Sequence, residues 1–243
     1  MERTYRRHFR QDDLAYFQVV VRETDLFIGL RRNRLVPELA QRVDRYVREL
    51  RRELEAYIAA EPGFLQAIEP YPVGPAAPQI ARDMAEAAAA AGVGPMAAVA
   101  GAFADYAGRL LVRYSRDVVV ENGGDLFIKS ARQRQVGVFA GNSPFSDRLA
   151  LEITAGSTPI GICTSSGTLG HSHSFGKADA VTILAVTATL ADAAATAAAN
   201  RVQDPADLTA ALDFALAIDG VSGALAVIGD HLAVQGRVKV VPL

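Results

Sequence analysis

The sequence of 243 residues contains one cysteine, Cys163, so it cannot form an internal disulfide. A chain without disulfides is typical of a reducing compartment. Met1 is followed by charged residues rather than by an apolar segment, so no signal peptide is visible. No stretch has the roughly 20 uninterrupted apolar residues of a membrane-spanning helix. These absences lead us to expect a soluble cytoplasmic protein that does not bind membranes.

The sequence also lacks a strong excess of charge of either sign. Its 25 Lys and Arg residues and 27 Asp and Glu residues leave a net charge of −2. Such a weak field gives no reason to expect a nucleic-acid partner, and we expect the basic start of the chain, ERTYRRHFR, to be a solvated terminus. Hydrophobic residues make up 50% of the chain, which is enough to bury a sizeable core.

No repeat of fixed period and no sharp change of composition divides the sequence, so we expect a single domain over residues 1–243. Alternating apolar residues in Tyr16–Leu30 predict two strands joined by the turn RETD. Apolar residues at three- and four-residue steps after Pro37 predict an amphipathic helix. Runs of strands and runs of helices without strict alternation predict an α+β fold. The other helices are predicted over Gln79–Ala91, from Pro95 to about Val112, from about Leu190 to Asn200 and over PADLTAALDFALAID, and the other strands between Val118 and Val186 and in the closing segment ALAVIGDHLAVQGRVKVVPL.

A stretch rich in small polar residues, GICTSSGTLGHSHSFGKADA, is the first candidate site. Hydroxyl groups next to glycines can wrap a polar ligand or a phosphate. His171 and His173 could act there as a base or a ligand, and the alternative is a solvent loop with a satisfied histidine. Cys163 is either a thiol nucleophile or a buried, inert residue. The candidate ligand-binding residues of this stretch are Thr164, Ser165, Ser166, Gly167, Thr168 and His173.

Asp192 and Thr196 are the second candidate, because residues four apart share a helix face. Their neighbours in LADAAATA are alanine and leucine, and an unpaired carboxylate on an apolar face is costly. A hard cation such as Mg²⁺, bound by Asp, Thr and main-chain oxygens, would offset that cost. The alternative is that Asp192 lies in the first turn of its helix and faces the positive end of the helix dipole. The spacing does not distinguish the two.

Two glycine-containing stretches complete the set. In VVVENGGDLFI, Asn-Gly favours an ordinary hairpin turn, whereas a binding role requires Glu121, Asn122 and Asp125 to stand at the strand ends beside a ligand. In AGVGPMAAVAGAFAD, a helix start at Pro95 would favour an anion, and the alternative is that small residues let two helices pack closely. The candidate binding residues of these stretches are Gly94, Pro95, Met96, Asn122, Gly123, Gly124 and Asp125.

These stretches, in this order, resemble the UPF0280 family, which belongs to the ApbE-like superfamily of the FAD:protein FMN transferases. The resemblance covers nearly the whole chain and runs from VVVRETDLFIGL through AGVGPMAAVAGAFAD, VENGGDLF and GICTSSGTLGHSHSFGKADAV to LADAAATAAAN. It implies an ApbE-like, T-fold-like arrangement of antiparallel sheets packed with helices. The similarity to the transferases themselves is more distant and depends on shorter matches.

In the transferases, an Asn-Gly-Gly-Asp strand end, a Thr-Ser-Gly loop followed by His, and an Ala-Asp-Ala-X-X-Thr helix build the flavin and metal site. The resemblance therefore implies that Asp192 and Thr196 hold Mg²⁺ and that the hydroxyl-rich loop lines a pocket for FAD, FMN or another nucleotide-like ligand. The sequence departs from the transferases in three ways. HSHSFGKAD lacks the Asp-Pro pair that follows the loop in the transferases, and GVGPMAAVAG lacks the lysine of their Gly-Gly-X-Ala-Lys-Gly stretch. No secretion signal, which many transferases carry, is visible. These departures concern the transfer of FMN to a protein threonine more than flavin binding.

The leading hypothesis is a Mg²⁺-dependent enzyme that uses or acts on a flavin or another nucleotide-like ligand, with His171 as its catalytic acid or base. Two alternatives keep the fold. One is an enzyme of sulfur or amino-acid metabolism without flavin, with Cys163 as a sulfur carrier. The other is a non-catalytic binding or assembly protein whose apolar strands and alanine-rich helices form an oligomer interface. A homodimer is compatible with all three.

Overall fold

The computed structural model describes Arg6, residues 11–167 and residues 175–243. These residues form eleven β-strands and six α-helices. The strands are β1 (Leu14–Val21), β2 (Thr24–Arg31), β3 (Val118–Asn122), β4 (Asp125–Lys129), β5 (Arg134–Gly137), β6 (Leu149–Ile153), β7 (Ile160–Ser165), β8 (Ala180–Ala185), β9 (Val221–Ile228), β10 (His231–Gly236) and β11 (Val240–Pro242). The helices are α1 (Pro37–Ala60), α2 (Pro62–Gln66), α3 (Gln79–Ala91), α4 (Val99–Leu111), α5 (Ala188–Ala199) and α6 (Leu208–Leu216).

The strands build an antiparallel 8-stranded sheet in the order β1-β2-β3-β4-β7-β8-β9-β10 and a 3-stranded sheet in the order β11-β6-β5. The helices pack on one face of the large sheet, and the small sheet packs on the other. Successive side chains of a strand point to opposite faces, so Val118 and Val120 enter the core beneath the helices, whereas Val119 enters the core beneath the small sheet. The predicted α+β architecture of antiparallel sheets and helices is confirmed.

Several predicted elements have the expected bounds. The two strands at the start of the chain are joined at Arg22 and Glu23 within the predicted turn, and Arg22 has the positive φ (54°) that a tight turn requires. Helix α3 covers the predicted range and ends at Gly92 in the left-handed conformation (φ 73°), where glycine has no steric cost. The long helix after Pro37 is also present, with its apolar residues buried.

Two helix starts differ from the prediction. Residues Pro95–Ala98 form a short 3-10 helix, and α4 begins only at Val99. Helix α5 begins earlier than predicted, because Thr187 caps it by accepting a hydrogen bond from the amide of Leu190 at 3.1 Å. Threonine is a favoured N-cap residue, and this cap fixes which turn of the helix carries Asp192.

No single helix in the described part of the chain is long and apolar enough to span a membrane. Helix α3 and the segment Pro95–Leu111 meet that length and composition only when taken together, and they are bent by 103° relative to each other. Both contribute buried residues to the core beneath the helices.

Candidate functional site

The β3–β4 hairpin carries the first group of candidate residues. Asn122 ends β3, Asp125 begins β4, and the two residues pair with each other next to the turn. Gly123 (φ 71°) and Gly124 (φ 113°) form that turn. Tight two-residue hairpin turns require positive φ, which glycine adopts without strain. The ordinary hairpin that the sequence allows is therefore present, and it places Asn122 and Asp125 together at one end of the large sheet.

The side chains of Asn122 and Asp125 face the helix layer. The Nδ2 atom of Asn122 donates a hydrogen bond to the carbonyl oxygen of Ala100 at 3.0 Å. Asp125 is buried, and its carboxyl group contacts the thiol of Cys163 and accepts a hydrogen bond from the amide of Thr164 in β7. The hairpin is thus joined both to the start of α4 and to the end of β7.

Helix α5 carries the second group of candidate residues as a polar stripe. Asp192, Thr196 and the C-cap residue Asn200 are spaced by four and are all partly exposed, whereas most of the helix is buried. This spacing places them on one face of the helix. The structure therefore brings Asp192 and Thr196 onto a common face, as the sequence predicts.

Asp192 accepts a hydrogen bond across the helix layer. Its Oδ2 atom lies 2.8 Å from the amide nitrogen of Gly101, in the first turn of α4. Gly101 is required there, because a Cβ atom at this position would lie 2.2 Å from the carbonyl oxygen of Ala188. Since α5 is capped by Thr187, Asp192 lies in the second turn of its own helix. The alternative that Asp192 lies in the first turn of α5 is wrong, because it caps the neighbouring helix instead.

Asp125, which is buried, and Asp192, which is partly exposed, are two carboxyl groups whose charges interact. Burial raises the pKa of Asp125, and the charge of Asp192 raises it further. Burial also raises the pKa of Asp192, against the opposing effect of the amides at the start of α4. Within the described residues, neither carboxyl group forms an ion pair with Lys or Arg. Buried carboxylates that lie close together are stabilised by a proton or by a bound cation.

The donor set for a cation at this place is small. In the described part of the chain, no three His, Cys, Asp or Glu side chains are grouped as a metal site. A cation at Asp192 would therefore need the Thr196 hydroxyl, main-chain oxygens and the oxygens of a ligand in addition to the carboxylate. Mg²⁺ is commonly bound in this way, by one or two carboxylates together with substrate phosphates and water.

The end of β7 carries hydroxyl groups on both faces of the large sheet. Thr164 shares the face of Ile162, beneath the small sheet, whereas Asp125 shares the face of Phe127, beneath the helices. The hydroxyl oxygens of Thr164 and Thr182 lie 2.8 Å apart and share a hydrogen bond. Ser165 is 5% exposed, and its Oγ atom has no hydrogen-bond partner among the described residues. Residues two apart in a strand share a face, so Ser165 points to the same side of the sheet as Cys163, which is the side of the helices. A buried hydroxyl without a partner is costly, and this one is available to a ligand or a water molecule.

The loop that follows β7 begins and ends near the C-terminal end of α5. A Cβ atom on Gly167 would lie 2.0 Å from the carbonyl oxygen of Gly176, and a Cβ atom on Gly176 would lie 1.8 Å from that of Ala199. These approaches require glycine at both positions. The candidate residues Thr168, His171 and His173 lie outside the described residues.

The stretch with Gly94, Pro95 and Met96 differs from its prediction. A Cβ atom on Gly94 would lie 1.8 Å from the carbonyl oxygen of Ala67, so this glycine serves close packing of the backbone. Pro95 opens a short 3-10 helix rather than an α-helix. The helix N-terminus that would attract an anion begins later, at Val99, and its first turn is already bonded to Asp192. The anion site predicted at Pro95 depended on the N-terminus of an α-helix, and no α-helix begins at that residue.

Cys163 is completely buried and donates a hydrogen bond from Sγ to the carbonyl oxygen of Ala188 at 3.2 Å. Burial raises the pKa of its thiol, and the negative charges of Asp125 and Asp192 raise it further. A nucleophilic or sulfur-carrying cysteine must present an accessible thiolate. The environment of Cys163 favours a neutral, inaccessible thiol, which is the inert alternative of the sequence analysis.

One structurally important acidic group, Asp105, was not expected from the sequence. Asp105 of α4 is buried and accepts hydrogen bonds from the amides of Ala188 and Thr189 at the start of α5. The signal was present, because Asp105 stands among small and apolar residues in AGAFADYAG just as Asp192 does in its helix. Glu121 is one of the candidate residues, but the contact of its buried carboxylate with Arg6 was not expected. No pattern in the sequence joins these two residues, which are far apart in the chain.

Comparison with known proteins identifies close relatives of the chain. The family model described as AbpE bacteria matches residues 6–233. A UPF0280 protein of Methanocella arvoryzae is 45% identical over 189 residues, which cover 77% of this chain and 77% of the relative. A UPF0280 protein of Methanopyrus kandleri is 41% identical over 226 residues, which cover 90% of each chain.

Solved structures share the fold at much lower identity. The flavinyl transferase ApbE of Pseudomonas stutzeri, in its apo form, has a TM-score of 0.57 at 16% identity, and the match covers 93% of this chain and 95% of that one. The ApbE protein of Thermotoga maritima has a TM-score of 0.54 at 14% identity, over 92% of this chain and 96% of that one. At this identity the similarity shows the fold, and it confirms the ApbE-like architecture expected from the sequence.

Proposed function

The chain belongs to the UPF0280 family of ApbE-like proteins, and we propose that it binds a flavin nucleotide, FAD or FMN, together with Mg²⁺. In this proposal Asp192 and Thr196 hold the cation, and the end of β7 and the β3–β4 hairpin contact the ligand. The observation that carries the proposal is that the charges of two carboxyl groups, Asp125 and Asp192, interact on the side of the large sheet that also holds the unpartnered, buried hydroxyl of Ser165. Among the described residues, neither carboxyl group has a Lys or Arg partner, and the Ser165 hydroxyl has no hydrogen-bond partner.

The cation is supported by the chemistry of the donors. An ionised carboxylate offers about four lone-pair positions, so Asp192 can accept from the start of α4 and still bind a metal. Thr196 adds a hydroxyl oxygen one helical turn away on the same face. Oxygen donors of this kind suit Mg²⁺, which completes its coordination with phosphate oxygens and water. A bound cation would also relieve the repulsion between Asp125 and Asp192.

The nucleotide is supported by the hydroxyl groups and glycines around the carboxyl pair. Ser165 has an unused buried hydroxyl, and Gly124 leaves open space beside the carbonyl oxygen of Thr164, 3.9 Å from where its Cβ atom would lie. Such groups recognise polar ligands through hydrogen bonds and close backbone approach. The choice of a flavin is supported by the structural neighbour from Pseudomonas stutzeri, which is a flavinyl transferase.

Bound Mg²⁺ would neutralise charge on the phosphate oxygens of the ligand and make the phosphorus more electrophilic. The residues of the chain would bind and orient the ligand around it. Asp192 is fixed by the start of α4, and Asp125 is fixed by the Thr164 amide. We further propose that His171, which follows the hydroxyl-rich segment in the sequence, donates or accepts the proton in a reaction at the phosphate.

Isothermal titration of the purified protein with FAD, in Mg²⁺ and in EDTA, tests the proposal. We expect binding in Mg²⁺ and much weaker binding in EDTA. Asp192→Asn and Thr196→Val should remove the dependence on Mg²⁺, because each removes an oxygen ligand with little change of shape. Asp213→Asn and Thr209→Val, at exposed positions of α6, are the matched controls and should bind as the wild type does.

Each part of the proposal has its own contradicting result. If the wild-type protein binds neither FAD nor FMN in either buffer, the flavin proposal is wrong. If it binds equally well with Mg²⁺ and with EDTA, the ligand part stands and the cation part is wrong.

A further inference from the structure

Arg6 belongs to the basic start of the chain, which was expected to be solvated, but it is buried, with 8% of its surface exposed. The expectation is wrong for this residue, because Arg6 is bonded to carboxylates of β2 and β3. Its Nε atom donates a hydrogen bond to Oε2 of Glu121 at 2.6 Å. Its Nη1 atom lies 3.0 and 3.1 Å from the two carboxylate oxygens of Asp25, and Nη2 donates to the main-chain oxygen of Asp25 at 2.8 Å. The guanidinium group also lies over the ring of Phe27. Arg6 therefore ties β2 to the end of β3 through charged hydrogen bonds, which are stronger than neutral ones.

Glu121 connects this arginine to the turn of the hairpin. The side chain of Glu121 is 2% exposed, and its second oxygen, Oε1, accepts a hydrogen bond from the amide of Gly124 at 2.9 Å. Gly124 is one of the two turn residues, and Asp125 follows it. One buried carboxylate is thus held by Arg6 on one side and holds the turn on the other.

The same carboxylate also acts on the candidate site. Glu121 adds to the negative charge around Asp125, to which Asp192 already contributes. The positive charge of Arg6 offsets the negative charge of Glu121, because the Nε atom of Arg6 lies 2.6 Å from Oε2 of Glu121. Without it, a buried charge would be left unneutralised beside the turn, and Glu121 would be expected to rotate towards water and release the Gly124 amide.

We propose that Arg6 is a positioning residue of the candidate site, which fixes the turn at Gly124 and therefore Asp125 by holding Glu121 in place. The effect on ligand affinity rests on the proposed function. The effect on the turn does not, because it concerns hydrogen bonds within the chain.

A double-mutant cycle with Arg6→Ala and Glu121→Gln tests the inference. The glutamine keeps an oxygen for the Gly124 amide but removes the charge that Arg6 neutralises, so the cost of Arg6→Ala should be smaller in the Glu121→Gln background. In the protein that keeps Glu121, Arg6→Ala should speed hydrogen exchange of the Gly124 amide by about tenfold, as measured by NMR without ligand. The same substitution should weaken FAD binding in Mg²⁺ by about tenfold. Equal losses in the two backgrounds would overturn the positioning role and indicate that Arg6 contacts the ligand itself.

If Arg6→Ala does not fold, the variant Arg6→Lys can be used for the same two measurements. A lysine keeps the charge but cannot bridge Glu121 and Asp25 with a planar fork, so we expect intermediate exchange and intermediate affinity at a melting temperature close to that of the wild type. The control is Arg22→Ala, which breaks an exposed pair with Glu55 and should change neither quantity. Unchanged Gly124 exchange in Arg6→Lys and in Arg6→Ala would overturn the inference. A wild-type protein that binds no FAD would contradict the proposed function alone, because the exchange measurement needs no ligand.

Discussion

Asp105 and Asp192 cap each other's helices. Asp105 belongs to α4 and accepts hydrogen bonds at the start of α5, from the amides of Ala188 at 3.0 Å and Thr189 at 2.9 Å. Asp192 belongs to α5 and accepts one at the start of α4, from the amide of Gly101 at 2.8 Å. Each carboxylate thus lies at the positive end of the partner helix. The arrangement holds Asp192 at Gly101, next to Ala100, whose carbonyl oxygen binds Asn122 of the β3–β4 hairpin. A structural contact therefore positions a candidate metal ligand.

The two aspartates should respond differently to the same substitution. Asp105 uses both carboxylate oxygens for the Ala188 and Thr189 amides, and Oδ2 also accepts from the Thr189 hydroxyl at 2.7 Å. Asp105→Asn would turn an amide group towards one of these donors and should lower the free energy of unfolding by about 2 kcal/mol. Asp192→Asn keeps an oxygen for Gly101 and removes repulsion with Asp125, so its stability in EDTA should stay within about 0.5 kcal/mol of the wild type.

Urea unfolding followed by circular dichroism measures both effects. Asp213→Asn, on an exposed face of α6, controls for the loss of one negative charge. A loss for Asp192→Asn as large as that for Asp105→Asn would show that Asp192 is primarily a structural cap.

Much of the fold was accessible from the sequence because its signals are local. The ranges of α3 and of the first two strands follow from apolar periodicity and from turn residues such as Gly92 and Arg22. The start of α4 was misplaced because Pro95 is a favourable first residue for a 3-10 helix as well as for an α-helix. Choosing between them depends on the packing of Gly94 against the backbone of Ala67, which is a contact between distant segments.

The candidate site was accessible only in part. The four-residue spacing of Asp192 and Thr196 correctly placed them on one face, because helix geometry alone determines it. What Asp192 bonds to could not be predicted, since its partner Gly101 lies 91 residues away in the sequence. The contact between Arg6 and Glu121 spans 115 residues and has no local signal either.

Asp117 should make stability depend on pH in acid. Burial alone would raise its pKa, but hydrogen bonds from Ser130, Arg31, Ala131 and Arg134 outweigh burial and lower the pKa from 3.8 to about 2. Because the folded-state pKa is the lower one, the ionised group stabilises the fold above the ordinary pKa and loses this effect as the pH falls towards the folded-state value. The loss between about pH 5 and about pH 3 should be about 1 kcal/mol.

The measurement is urea unfolding at both pH values for the wild type and for Asp117→Asn. The variant should be less stable at the higher pH, because its amide cannot accept from both Ser130 and Arg31 as a carboxylate does. It should also show a smaller change with pH than the wild type. Equal pH dependence in the two proteins would mean that other carboxyl groups cause the acid sensitivity.

Phe175 should contribute to flavin binding by stacking. Its ring is 67% exposed, yet its backbone is fixed, because its amide donates to Asn200 at 2.8 Å and its carbonyl accepts from Gln203 at 2.9 Å. Asn200 lies one turn beyond Thr196 on the polar stripe, so the backbone of Phe175 is held at the end of the stripe that carries the proposed cation ligands. Phe175→Ala should weaken FAD binding by about tenfold, as for the loss of one aromatic stacking contact.

Titration of inorganic pyrophosphate in Mg²⁺ separates stacking from phosphate binding and should give the same affinity for Phe175→Ala as for the wild type. Val186→Ala removes another exposed apolar side chain, 63% exposed and before the start of α5, and should not affect FAD binding. Equal FAD affinity of Phe175→Ala and the wild type would contradict stacking at this ring.

Ser165→Ala should have opposite effects on stability and on binding. In the protein without ligand, the Ser165 hydroxyl is buried and has no partner among the described residues, so its removal should raise the free energy of unfolding by about 1 kcal/mol. If the ligand supplies the missing partner, the same substitution should weaken FAD binding in Mg²⁺ by about fivefold, the cost of one lost hydrogen bond. Ser143 is the matched control, because it is equally buried but donates to the carbonyl oxygen of Gly229 at 2.7 Å. Ser143→Ala should therefore destabilise the protein and leave FAD affinity unchanged. If Ser165→Ala destabilises the protein in the same way, an internal partner, rather than a ligand, satisfies the Ser165 hydroxyl.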